Sequence, residues 1–244
     1  MTSQPTLAQS GITHDPVYYI TVALFALLTT ALPTLMGLPN LLPIIQAVTL
    51  TVFIAMPLRQ HNPHGAVRTV IIWLPLQFLT ITLMTVMAGG LVEQAIHDGF
   101  LYRGAISAWL YGSGPLPGAL STDPFAPLRE LAGVVLGGLA TAGLVGAWFL
   151  VRIVNVAAYG TGILLHTLED GAFWRTLPYW TLLRVAGLAG LLTLSAEPLL
   201  TSQWSPAFYW QARRQMIIVA ITLVVVGLLL ELFLPALLTY PPIA

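Results

Sequence analysis

Between Asp15 and Arg59 the chain carries no charged residue. A bilayer core takes about 20 helical residues per crossing, so this stretch is long enough for two. Its natural break is Gly37-Leu38-Pro39-Asn40. Pro33 and Pro43 fall near that turn, where a missing N–H is least costly. The pattern predicts a transmembrane hairpin with spans at 17–36 and 41–58. Tyr18 and Tyr19 suit an interface, where the ring can sit in lipid while the hydroxyl meets water.

The rest of the chain follows the same rule. Of its 244 residues 57% are hydrophobic and 7% charged, with a mean hydropathy of +0.85. An average soluble domain carries about 25% charge, and so few charges could not cover a soluble surface of this size. Further apolar blocks at 67–90, 131–151, 179–200 and 216–238 bring the count to six spans. The expectation is an all-α, polytopic helical membrane protein of about six transmembrane helices plus one or two interfacial helices. A polar segment, 1–16, precedes a single transmembrane domain, 17–240. That segment holds no Lys or Arg, hence no basic start of a secretory signal, so the first block reads as a retained span.

The blocks differ in character. The third contains Pro75, which frees the carbonyl of Ile71 and predicts a kink unless neighbours satisfy it. Its Thr69, Gln77, Thr80, Thr82 and Thr85 are expected to face other helices. The fourth holds Gly133, Gly137, Gly138, Gly143 and Gly146, a small-residue surface that another helix can approach closely. Self-association or contact with other membrane subunits through 131–151 is the partner expectation, beside the lipid bilayer itself. The segments 100–111 and 153–168 read as interfacial helices, and seven Trp mostly flank spans as an aromatic belt.

An even number of spans puts both termini on one side. Arg59, Arg68, Arg152, Arg175 and Arg184 then share the terminal side against Arg103, Arg129, Arg213 and Arg214, which predicts cytoplasmic termini. Short loops and the lack of a targeting segment suit a bacterial-type inner membrane.

Several chemistries are disfavoured. With no Cys there is no disulfide, thiolate metal site or thiol nucleophile. No basic patch is dense enough for nucleic acid. His61 and His64 have a metal-compatible spacing, but Pro63 separates them and no third ligand is near. No His falls mid-span to ligate a haem, and hydrolytic and phosphate-loop signatures are missing. Gly112-Ser113-Gly114 resembles a nucleophile turn only superficially. No catalytic residue, metal or cofactor is therefore predicted.

What remains is charge within apolar helices, which costs about 2.5 to 3.5 kcal/mol at the bilayer centre on insertion scales. Glu231, Glu197 and Arg184 are the candidates for ligand or ion binding. Each also has a structural alternative: pairing with a neighbouring helix, or snorkelling of Arg184 to an interface. Two functions fit this pattern. One is a small permease or the membrane component of a transporter, and the other a non-catalytic structural or assembly subunit of a larger membrane complex. An intramembrane enzyme would need two cooperating polar groups at one depth, and the sequence shows no obvious pair.

Overall fold

The structure, a computed structural model, describes residues 15–120, 122–168 and 176–235. Among these residues there are nine helices and no strand: α1 (Pro16–Leu35), α2 (Leu41–Arg59), α3 (Pro63–Ala95), α4 (Gly99–Leu110), α5 (Ala126–Ala140), α6 (Leu144–Thr167), α7 (Tyr179–Thr201), α8 (Pro206–Ala212) and α9 (Arg214–Phe233). Six of them, α1, α2, α3, α6, α7 and α9, are long and apolar enough to cross a membrane. The polar segment before residue 15, Arg175 and everything past 235 lie outside the described residues.

Local sequence accounts for the helix starts. Asp15 accepts the Val17 N–H at 2.9 Å, and Pro16 supplies a pre-set φ at the first helical position. Asn62 and Pro63 repeat the device at α3, with Asn62 accepting from the Gly65 N–H. Within α3 the departure from helical dihedrals is at Ala88 (φ −147, ψ 51) and not at Pro75, where the kink was expected.

A chain of amide side chains ties four spans together. Gln46 of α2 donates to Thr30 of α1, Asn155 of α6 donates to Gln46, and Gln77 of α3 donates to Asn155 and to the Val151 carbonyl. Trp73 closes the chain by donating to Gln77. All of these groups are buried, and in lipid such a network is worth having only when each member is satisfied. Thr69, Thr82 and Thr85 also face inward. Tyr18 does too: its hydroxyl donates to the Phe53 carbonyl, so it sits in the bundle and not at an interface.

The expected fourth span is corrected. The run 131–151 is broken at Ala142 (φ 53) and Gly143 (φ 100), two consecutive left-handed residues that reverse the chain. The spanning helix is α6, and most of the expected interfacial segment 153–168 lies inside it, largely buried. α5 folds back antiparallel along α6: a Cβ at Gly133 would strike Phe149, one at Gly137 would strike Val145, and Gly138 abuts Gly146. The glycine surfaces are thus used within the chain.

Pairings along the helices give their directions. α2 runs antiparallel to α1 (Gln46 on Thr30, Phe53 on Tyr18), while α6 runs parallel to α3 (Val151 on Gln77, Ala158 on Thr82). α9 runs antiparallel to α7, since Arg213 meets Glu197 and Glu231 meets Arg184. α5 is parallel to α7, with Glu130 at Arg184 and Gly138 at Ser195. α5 is therefore a seventh transverse segment, 15 residues or about 22 Å long. As a result α1 starts and α9 ends at opposite ends of the bundle. The expectation that both termini share a side counts only the long apolar blocks, and the terminal residues themselves lie outside those described.

Candidate functional site

The site begins with a missing side chain. A Cβ at Gly227 of α9 would lie 2.7 Å from the Trp180 carbonyl and 2.8 Å from the Arg184 nitrogen, so only glycine lets α9 press on the first turns of α7. One turn beyond Gly227, on the same face, comes Glu231. Its Oε2 accepts from Arg184 Nη1 at 2.5 Å, and its Oε1 accepts the Leu120 N–H at 3.3 Å. Glu130, in the first turn and a half of α5, lies 3.4 Å from Arg184 Nη2. Arg184 and Glu231 are each 6% exposed. The polar complement is incomplete: neither Arg184 Nε nor Glu130 Oε2 has a hydrogen-bond partner.

These groups stand on the wall of a cavity of ≈ 540 Å³ between α4, α5, α6, α7 and the segment 116–118. It follows α6 from Leu164 back to Phe149, about 22 Å at 1.5 Å per residue, and so reaches the middle of the bundle. Tyr102, Ile106, Trp109, Leu116 and the exposed Arg129 line part of its wall, and the α5–α6 register with the ion pairs of Arg184 puts Glu130, Arg152, Arg184 and Glu231 at one level. Burial raises the pKa of the Tyr102 phenol, so it stays a neutral hydroxyl on the wall. Past that level, α5 and α6 close tightly on Leu192, Ser195 and Ala196 of α7. Among the described residues, that packing closes the cavity on the side where α7 ends.

The other charges on the wall have different partners. Arg129 pairs with Asp123. Arg152 rests over the Trp148 ring at 4.6 Å, and no carboxylate among the described residues lies within ion-pair distance of it. Also among the described residues, no group of three or more His, Asp or Glu is placed to hold a metal ion.

Of the three candidates from sequence, Arg184 and Glu231 come together and Glu197 does not join them. Glu197 sits at the opposite end of α7 and takes both Arg213 Nη2 (2.7 Å) and Arg213 Nε (3.3 Å). The carboxylate raises the pKa of Arg213, chiefly through that hydrogen bond. Tyr209, beside the pair, is pushed up to about 12, first by burial and then by the Glu197 charge. This geometry is that of a helix-end clamp holding α7 to the base of α9.

Sequence reasoning missed Glu130 and Arg152. Glu130 looked like the end of a loop and Arg152 like the end of a span, because the run 131–151 was taken as one helix. With the chain reversed at Gly143, Glu130 and Arg152 fall opposite each other on antiparallel α5 and α6. The available signal was the residue spacing: a reversal at 142–143 pairs 133 with 149 and hence 130 with 152. Trp109 and Trp180 also line the cavity, beyond the expected belt.

Comparison with known proteins adds no name to this arrangement: no protein-family model, curated protein or solved structure matches the chain.

Proposed function

We propose that this protein is a small permease, or the solute-binding membrane component of a transporter, and that its substrate enters the cavity between α4, α5, α6 and α7. The carrying observation is a cavity that follows α6 to mid-bundle and has on its wall the Arg184–Glu231–Glu130 cluster with two unmet polar atoms. Intramembrane ionisable groups that line an accessible cavity are where transport proteins bind substrate or protons.

The test is uptake into proteoliposomes of a panel of radiolabelled organic acids, amino acids, sugars and organic cations. Wild type should concentrate at least one class, and Glu231→Gln should fold yet lose that uptake. Unchanged uptake in Glu231→Gln removes the cluster from the mechanism. A specific observation favours the second function, a subunit of a larger complex: α9 packs chiefly against α7 and turns Ile218, Val225 and Leu232 outward. Stoichiometric companions on gentle extraction, with no uptake by the isolated chain, would select that reading.

A further inference from the structure

The cavity wall holds three arginines and two glutamates, and the way they pair leaves one cation over. Arg129 is matched by Asp123. Arg184 serves both Glu231 and Glu130. Arg152 keeps only the face of Trp148. A cation–π contact of this kind offsets only part of what it costs to hold an arginine among apolar helices. Among the described residues, then, Arg152 is a guanidinium near the middle of α6 with its charge unanswered.

A second, independent observation concerns Arg184. It is 94% buried by its 6% exposure, yet its Nε–H has no acceptor. Buried donors are nearly always satisfied, by protein, water or ligand. A negatively charged group in the cavity would answer Arg152 beside a second guanidinium, because Arg152 and Arg184 line the same cavity at the level that Glu130 shares. The volume, ≈ 540 Å³, falls within the usual range of about 300 to 1,000 Å³ for organic ligands and is far larger than a bare inorganic anion fills. The outer wall of Ile106, Trp109 and Leu116 is apolar and leads out from that charged level.

We infer that the cavity binds an amphipathic organic anion, a carboxylate or phosphate head against Arg152 and beside Arg184, with an apolar body along the α4 side. This rests on the cavity being a substrate or ligand site and specifies its chemical class. Glu130 opposes the head, since it shares that level with an oxygen that accepts nothing. It therefore limits affinity, and its removal should strengthen binding.

Binding is read without transport, so that its failure and the failure of uptake are separate results. The protein is placed in phosphatidylcholine nanodiscs, and tryptophan fluorescence, which includes Trp109 and Trp180 on the wall, is titrated with octanoate, octyl phosphate, octylamine and octanol. Octanoate and octyl phosphate should saturate, while octylamine and octanol should not. Arg152→Gln should weaken octanoate at least tenfold, Arg152→Lys should weaken it less, and Glu130→Gln should tighten it several-fold. Equal binding of octylamine, no binding of either anion, or an unchanged affinity in folded Arg152→Gln overturns the inference. If Arg152→Gln does not fold, a Glu130→Gln affinity that is unchanged or weaker overturns it instead. Adding phosphatidate to the nanodiscs separates two sources of the same chemistry. Competition with octanoate assigns the anion to a lipid, and the lack of competition with saturable octanoate binding assigns it to water; either result upholds the site.

Discussion

Arg184 stands between two carboxylates, and that asymmetry fixes an order of stabilities. In Arg184→Leu, Glu231, with a side chain 3% exposed, and Glu130, 25% exposed, face each other without a cation. Breaking a buried pair in this way costs about 3 to 5 kcal/mol. In Glu231→Leu the guanidinium keeps Glu130 at 3.4 Å, and the loss is nearer the about 1 to 3 kcal/mol of an unmet buried hydrogen bond. The double variant Arg184→Leu/Glu231→Leu replaces the tight pair with apolar side chains, which such sites accept at little cost. It leaves Glu130 to the cavity opening. The double variant should therefore be no less stable than Arg184→Leu alone, giving a coupling of about 1 to 3 kcal/mol between the two positions. Equilibrium unfolding in mixed detergent and SDS micelles, followed by far-ultraviolet circular dichroism, measures all three. Single-variant losses that add to within about 0.5 kcal/mol, or Glu231→Leu costing as much as Arg184→Leu, would refute the shared-cation geometry.

Other outcomes follow from particular contacts. Gly227→Val should push α9 off the first turns of α7 and cost about 2 to 4 kcal/mol by overpacking and loss of the Glu231 pair, read in the same unfolding assay; a neutral Gly227→Val would mean that α9 is not seated there. Asn155→Leu should strand Gln46 and Gln77 together and cost at least about 2 kcal/mol, while Thr80→Val, outside the chain of amides, should cost under about 1 kcal/mol. Reporter fusions at the two termini, alkaline phosphatase and green fluorescent protein, should be active on opposite sides of the membrane; the same side for both would exclude α5 as a crossing.

The sequence makes the lipid-facing architecture plain because its signal is one-dimensional. Twenty apolar residues in a row are a span whatever they pack against, and 17–36, 41–58, 179–200 and 216–238 reappear within a few residues of α1, α2, α7 and the described part of α9. Gln77 inside α3 is likewise legible as a helix-to-helix contact, since an amide has no partner in hydrocarbon. The α5–α6 hairpin is not legible in the same way. Gly143 has no turn-forming Pro, Asn or charge beside it, and 131–151 is as apolar as a genuine span. Its reversal is decided by tertiary packing of glycine faces, which hydropathy does not record. Glu231 and Arg184 could each be flagged as costly, but their meeting depends on Gly227, 43 residues from Arg184 in sequence, allowing α9 to close on α7.

The same hairpin explains why a site exists at all. Had 131–151 run straight through, Glu130 would have ended at one end of that helix and Arg152 at the other, and of these charges only Glu231 would have shared the depth of Arg184. Folding back at Gly143 brings Glu130 and Arg152 to that depth together. A helix of about 22 Å also falls short of a hydrocarbon core of about 30 Å. At the starting end of α5, Ala126 and the chain from Leu116 to Gly118 line the cavity. One turn of reversed backbone thus supplies the cavity and the charges within it. For that reason lengthening α5 by one turn of alanines before Ala126 should stop octanoate titration while leaving the Glu197–Arg213 clamp at the opposite end intact, and a lengthened variant that still binds would place the ligand elsewhere.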